Sequence, residues 1–141
     1  YRIFPVGRLD FDTEGALLLT NDGDLAQKIQ HPRFETFKTY EATVYGHPGK
    51  GRLQQLEQGI VIEGKKTSPA SLKILRKKPK ASLVSITIHE GRKHQVKKMF
   101  KAIGHPVISL KRISYGRLHL GQLSTGSYRK LSPSDLKKIF L

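Results

Sequence analysis

Gly7-Arg8-Leu9-Asp10-Phe11-Asp12-Thr13-Glu14-Gly15 places three carboxylates within five residues, beside one arginine and between glycines. Grouped carboxylates can serve as acid, base, nucleophile or metal ligand. A metal would need further ligands from other elements, and the acidic residues elsewhere are sparse and scattered. The plainer alternative is a polar loop in which Asp12 caps a turn. The flanking glycines allow a sharp backbone bend around a presented side chain.

A second cluster runs Glu90-Gly91-Arg92-Lys93-His94-Gln95-Val96-Lys97-Lys98-Met99-Phe100-Lys101, with five basic residues between positions 92 and 101. Lys93, Lys97 and Lys101 recur at every fourth residue, so they repel one another on one helix face, by a few tenths of a kcal/mol per pair (~0.2–0.5). Few acidic partners are nearby, which favours a phosphate-binding face over a merely solvated one. One of these cations could instead pair with a loop carboxylate and keep it ionised. Lys38-Thr39-Tyr40 falls in a strand-like stretch, where a tyrosine usually packs; in an RNA cleft its ring can stack on a flipped base.

Other chemistries are excluded or unsupported. There is no cysteine, so thiolate metal sites, disulfides and cysteine nucleophiles are ruled out. His31, His47 and His105 abut or neighbour proline and read as loop residues without a chemical role. No phosphate-loop or dinucleotide fingerprint and no Gly-x-Ser-x-Gly elbow occurs.

The elements that must position these residues come from 141 residues, one domain by length. A short apolar run at residues 16–20 reads as a buried strand, and Asn21-Asp22 as the cap of a helix over residues 22–30. Strands are expected at residues 36–45, 61–62, 72–75, 83–88, 107–113 and 118–123. Helices are expected at residues 53–58, 92–103 and from Pro133 to Leu141. Val96, Met99, Phe100 and Ile103 have the spacing of a buried helix face, and Gly104 and Pro106 the pattern of its stop. Strands outnumber helices and are not joined by regular helical crossovers. The expected fold is therefore α+β, with a mixed, mainly antiparallel sheet flanked by helices.

Charge is distributed unevenly. The total is +15, and residues 1–70 carry nine basic and nine acidic side chains. Residues 71–141 carry seventeen basic side chains against Glu90 and Asp135 alone, so the second half holds all of the excess. Such self-repulsion suits a polyanionic partner, and nucleic acid fits best. No basic amphipathic helix with a large apolar face supports a membrane alternative.

Taken together and in order, these segments resemble the RsuA-type ribosomal RNA pseudouridine synthases. Pro5-Val6-Gly7-Arg8-Leu9-Asp10-Phe11-Asp12-Thr13-Glu14-Gly15 opens the match. Leu17-Leu18-Leu19-Thr20-Asn21-Asp22-Gly23, His31-Pro32-Arg33 and Lys38-Thr39-Tyr40 continue it. Glu90-Gly91-Arg92, His94 to Phe100, Gly104-His105-Pro106-Val107, Leu110-Lys111-Arg112, Gly126 and Arg129-Lys130-Leu131 complete it. The resemblance spans nearly the whole chain. It implies that Asp10 is the catalytic aspartate, that Tyr40 stacks on the target base and takes part in proton transfer, and that Lys97 pairs with Asp10. Leu110 would line the pocket. The matched motifs also supply residues expected to meet substrate or RNA: Arg8, Leu9 and Thr13; Arg92, Lys93, His94, Gln95 and Lys98; Lys111 and Arg112.

The resemblance further implies no metal and no small-molecule cofactor, with ribosomal RNA as partner, no membrane, a cytoplasmic site and a monomer. Asp12 and Glu14 are expected to be structural. The family's catalytic domain begins further upstream, with a strand and a Lys-Pro-x-Gly turn, and often follows a small RNA-binding module. Neither is found in residues 1–141, so the sequence reads as a catalytic domain over residues 1–141, a fragment with an incomplete sheet. Two competing readings stand beside it. A non-catalytic RNA- or ribosome-binding module would bind RNA regardless of Asp10, and a metal-dependent nuclease would use Asp10 and Asp12.

Overall fold

The computed structural model describes residues 2–34 and 36–140. The chain begins with β1 (Phe4–Val6), β2 (Thr13–Gly15), β3 (Leu18–Thr20) and α1 (Gly23–Gln30), followed by a 3-10 turn at Pro32–Phe34. Next come β4 (Lys38–Tyr45), α2 (Lys50–Gln58), and a short ribbon of β5 (Val61–Ile62) and β6 (Lys65–Lys66). A long hairpin of β7 (Ser71–Lys78) and β8 (Ala81–Ile88) leads to α3 (Gln95–Ala102). The chain closes with β9 (Val107–Tyr115), β10 (Leu118–His119) and α4 (Pro133–Ile139).

The main sheet runs β10-β9-β4-β8-β7, and β2 lies against β9 as its one parallel neighbour. The other pairings are antiparallel. The expected α+β class and mixed, mainly antiparallel sheet are therefore met. β1 and β3 form a separate antiparallel ribbon. The sheet alternates strictly: Ser82, Val84, Ile86 and Ile88 of β8 are buried, while the residues between them are only half-buried. Helices α2 and α3 cover the buried face, where Leu56, Met99 and Phe100 meet Ala42, Val44, Val84 and Ile86. The stripe expected on α3 is all in that core, and truncating Phe100 there would cost about 3–5 kcal/mol. A second core joins Val6, Ala26 and Ile29 to Tyr115, Leu118 and Ile139. It ties the N-terminal ribbon and α4 to the end of β9.

The caps follow the sequence closely. Asp22 accepts from the backbone N–H groups of Asp24 and Leu25 and starts α1. Ser132 and Asp135 form a reciprocal capping box on α4. The differences have local causes. α2 starts at Lys50, three residues before the apolar spacing becomes visible. The cluster expected as a loop at residues 64–66 is instead a ribbon turning at Glu63 and Gly64, both at positive φ. β10 stops at His119 rather than continuing to residue 123, and β7 extends to Lys78. β1 and β2 are strands that the sequence pattern did not announce, since each is three residues long. The expected end of α4 at Leu141 lies outside the described residues.

Candidate active site

Asp10 sits in the turn between β1 and β2, where its carbonyl accepts from the Thr13 N–H at 2.9 Å. β2 then runs beside β9, with Thr13 opposite Leu110 and Gly15 opposite Arg112. Gly15 has φ +117, and a Cβ there would lie 2.1 Å from the Arg112 carbonyl oxygen. Only glycine permits this close approach, and the Ala16 N–H uses it to donate to the same oxygen at 2.8 Å. The glycine that ends the acidic motif therefore fixes how Asp10 is carried onto the sheet.

α3 supplies the cations. Lys97 Nζ lies 3.6 Å from Asp10 Oδ2, and His94 Nε2 lies 3.5 Å from Asp10 Oδ1. The Lys97 ammonium also donates a close hydrogen bond to Asp12. Lys97 thus stands beside Asp10 but is shared with Asp12. The main partner of the Asp12 side chain is therefore Lys97 rather than a turn that it caps, which corrects the plainer reading of that side chain. Its carboxyl lies below the usual range, first because of the Lys97 hydrogen bond, despite opposing desolvation. Burial works against the Lys97 charge, yet the Asp12 hydrogen bond and both carboxylates outweigh it and hold the ammonium above its ordinary value.

His94 is aimed by its backbone. It adopts φ 54 and ψ 33, the left-handed region that non-glycine residues rarely occupy. The expected helix start at Arg92 is displaced to Gln95 because residues 92–94 form a turn, closed by the Gln95 N–H on the Arg92 carbonyl at 3.1 Å. Strain of this kind persists where surrounding contacts over-determine it. Here Gln95 donates to Glu90 at 2.8 Å and accepts from the Arg92 N–H at 3.2 Å. Glu90 in turn accepts from the Ser68 N–H at 2.7 Å.

Tyr40 is half-buried on β4 and packs against the core under α3. Its hydroxyl accepts from Arg112 Nη1 at 3.3 Å. Arg112 Nε donates to the Ala16 carbonyl at 2.9 Å, and its guanidinium lies 4.7 Å from the Tyr115 ring centroid. Tyr40, Arg112 and Gly15 form one row across β4, β9 and β2. Two strand spacings, about 10 Å, separate the Tyr40 backbone from that of β2. Tyr40 is therefore linked to the Asp10 loop through Arg112, and among the described residues no hydrogen bond joins it to Asp10 directly. Burial pushes the neighbouring Tyr115 hydroxyl up to about 12, against the opposing charge of Arg112. Burial also lowers the ammonium of Lys38, and Arg112 adds repulsion.

Beside Asp12 and Lys97 opens a pocket of about 190 Å³, lined also by Lys101 and residues 106–110. Leu110 forms part of its apolar wall and is buried. Arg8, Lys93 and Lys111 are exposed, Leu9 is half-buried, and Thr13 keeps a buried hydroxyl without a partner among the described residues.

Four residues expected to meet RNA are instead engaged by the protein. Arg112 is 4% exposed and holds Ala16 and Tyr40. Gln95 is equally buried and pins the turn before α3. Arg92 donates to the Ile62 and Lys65 carbonyls, which fastens the β5–β6 ribbon. Lys98 pairs with Glu63 at 2.6 Å on that same ribbon. A basic motif read from charge alone does not separate cations that face solvent from cations that brace a neighbouring loop. The bracing partner does leave a signal: Glu90 is the lone carboxylate between residues 64 and 134. The motif points His94 at RNA, and its place beside Asp10 has no sequence signal of its own.

Among the described residues, no three histidine, aspartate or glutamate side chains come together as a metal-binding group. No described helix is long and apolar enough to cross a membrane.

Comparison with known proteins gives a consistent result. Residues 1–102 match the family model described as RNA pseudouridylate synthase. Ribosomal large subunit pseudouridine synthase B of Bacillus subtilis (strain 168) is 53% identical over 140 residues, covering 98% of this chain and 57% of the relative. An RNA pseudouridine synthase of Aquifex aeolicus (strain VF5) is 48% identical over 139 residues, covering 99% of this chain and 56% of the relative. A crystal structure of a pseudouridylate synthase superposes with a TM-score of 0.90 at 38% identity, covering 97% of this chain and 59% of that one. The chain thus spans a little over half the length of these relatives.

Proposed function

Because the chain belongs to the RNA pseudouridylate synthase family, we propose that it isomerises a specific uridine of ribosomal RNA to pseudouridine. The name of the Bacillus subtilis relative points to RNA of the large subunit. The observation that carries this reading is Asp10 held between the Lys97 ammonium and the His94 ring, on the pocket side of the Tyr40–Arg112 row.

The reaction breaks the N1–C1′ bond of uridine, turns the base and joins C5 to C1′; C5 gives up its proton and the freed N1 takes one up, so no atom is gained or lost. It needs an ionised carboxylate near C1′, and a neighbouring cation favours that form. Asp10 fills this role, either attacking C1′ or taking the C2′ proton on a glycal route. Tyr40 offers a ring to stack on the flipped base and a hydroxyl to accept or relay the C5 proton. Arg112 engages that hydroxyl and fixes its direction. Lys93, Lys101 and Lys111 remain exposed for phosphates.

The nuclease alternative is disfavoured because the Lys97 ammonium bridges Asp10 and Asp12, where a metal-binding pair would hold a dication. The reading needs neither metal nor small-molecule cofactor, and a cytoplasmic place beside the ribosome follows from the substrate.

The test is nucleoside analysis of unmodified large-subunit RNA transcripts after incubation and complete digestion. Pseudouridine appearing at the expense of uridine, with chelator present, supports the proposal. RNA binding without pseudouridine would favour a non-catalytic binding module, and chelator-sensitive cleavage would favour the nuclease.

A further inference from the structure

The β7–β8 hairpin lies at the sheet edge, away from the site described above. Residues 64–89 carry seven basic side chains and no acidic one. All seven are exposed, and among the described residues none pairs with a carboxylate. Lysine on an edge strand protects against edge-to-edge pairing, but the placement here is more particular than that.

The hairpin register contains a bulge. Ile74 lies opposite Val84 and Arg76 opposite Leu83, so Leu75 is the extra residue. Lys73 lies opposite Ser85, Arg76 opposite Leu83 and Lys78 opposite Ala81. Ser85, Leu83 and Ala81 are the residues of β8 that turn away from the core, as the strict alternation of that strand requires. Lys73, Arg76 and Lys78 therefore share the face that α2 and α3 leave uncovered. Without the bulge, Arg76 would fall on the helix side. The three cations are spaced by about 7 Å or slightly more along the strand. Lys80 follows in the turn, and Lys111 lies on the same face of β9, in register with Glu41. Glu41 and Glu14 are the carboxylates of that face, one on each side of Lys111; Glu41 stands two strands from β7, about 10 Å away, and Glu14 two strands beyond it.

The hairpin end is firmly held. A His47 ring nitrogen meets the Lys78 carbonyl at 2.6 Å, and the Gly46 N–H donates to the Lys80 carbonyl at 2.9 Å. Ser82 donates to the Gly46 carbonyl at 2.8 Å. The row of charge is thus presented on a fixed backbone. Its far end is also distant from the chemistry, while Lys73, level with Glu41, stands two strands from β4. Tyr45, level with Lys78, is five residues along β4 from Tyr40, about 17 Å. Tyr40 packs on the opposite face.

We infer that this face of the β7–β8 hairpin is a second RNA-docking surface, which grips the phosphate backbone of a double-helical segment outside the active-site cleft. This rests on the reading that the substrate is RNA. A single strand would call for a series of aromatic platforms; residues 64–81 contain no aromatic residue or histidine, and the ring exposed beside them is Tyr45, opposite Ala81. A rigid row of cations with a single ring at one end suits an A-form backbone recognised by shape and charge.

The test uses the whole chain and two probes, an RNA duplex of about 16 base pairs and an unstructured single strand of the same length, neither containing a target. The triple variant Lys73→Gln, Arg76→Gln, Lys78→Gln is compared with a control of equal charge change, Lys50→Gln, Arg52→Gln, Lys137→Gln. With three fewer phosphates neutralised, the slope of log affinity against log salt falls by about 2.7 for the duplex. Between 50 and 200 mM salt the unsubstituted chain then loses about fortyfold more affinity than the triple variant. The control keeps its slope, and the thermal midpoints of all three proteins agree because every substituted residue is exposed. An unchanged slope in the triple variant overturns the proposal, as does an equal fall in the control or an equal effect on the single strand. Pseudouridine formation is scored separately. A slope change without any catalysis would support the docking surface while refuting the isomerase reading, and catalysis with an unchanged slope would do the reverse.

Discussion

Replacing Lys97 by methionine removes the ammonium beside Asp10 and keeps most of the apolar stem. At 3.6 Å the attraction amounts to about 5 kcal/mol at an effective dielectric of about 20, and about 1 kcal/mol in bulk water. The Lys97 and Asp10 side chains are 27% and 29% exposed, so the operative value lies between these bounds, near ~2–3 kcal/mol. That corresponds to a loss of about thirty- to 160-fold in the rate of the chemical step. Single-turnover release of tritium from C5-labelled transcripts, with enzyme in excess, reads this step directly. Lys97→Met is expected to slow it by that factor while leaving the RNA dissociation constant within about threefold. Asp12→Asn is expected to leave the rate within about threefold, since it frees Lys97 to serve Asp10 alone. A Lys97→Met protein that turns over at the unsubstituted rate would refute the ion-pair role, and His94, at 3.5 Å from the other Asp10 oxygen, would be the next candidate.

Other expectations follow from the same geometry. Arg112→Lys keeps the charge but cannot serve Ala16 and Tyr40 together; turnover should fall with KM unchanged, and the part of the loss that runs through the Tyr40 hydroxyl should vanish in a Tyr40→Phe background, as a double-mutant cycle would show. Gly15→Ala should destabilise the fold by about 2–4 kcal/mol in denaturant titrations, because its Cβ would meet the Arg112 carbonyl at a strained φ. The Asp135 carboxyl is held at about 2, chiefly by the Ser132 N–H and then by Arg129. Its folded value lies below the ordinary 3.8, so the capping box contributes fully above pH 3.8 and is lost as pH falls toward 2. Amide exchange at Leu136 should accelerate in that window, and Asp135→Asn should show the faster exchange already at neutral pH.

Much of this was legible in the sequence because the signals were local. Asp22 and Ser132 announced their helices through side chains that cap the adjacent backbone. The α3 stripe announced a buried face through spacing alone. Asp10 and Lys97 were picked out by composition and resemblance, and the fold brings them together across 87 residues of sequence.

What stayed hidden depends on long-range pairing. β2 is three residues long and exists because Gly15 lets it approach β9. Whether Arg92 and Arg112 face RNA or brace neighbouring loops is decided by carbonyls on the β5–β6 ribbon and at Ala16, which no local pattern encodes. The left-handed turn at His94 likewise depends on Glu90 and Gln95 clasping across it. Charge along the chain indicates a polyanionic partner in outline while overcounting the cations free to meet it.

The central claim is that Asp10 is the carboxylate of a uridine isomerase. The most direct measurement is tritium release from C5-labelled large-subunit RNA by the unsubstituted chain and by Asp10→Asn, with RNA affinity measured in parallel. Release is expected from the former and none above background from the latter, with equal binding by both. Release that persists in Asp10→Asn would contradict that claim.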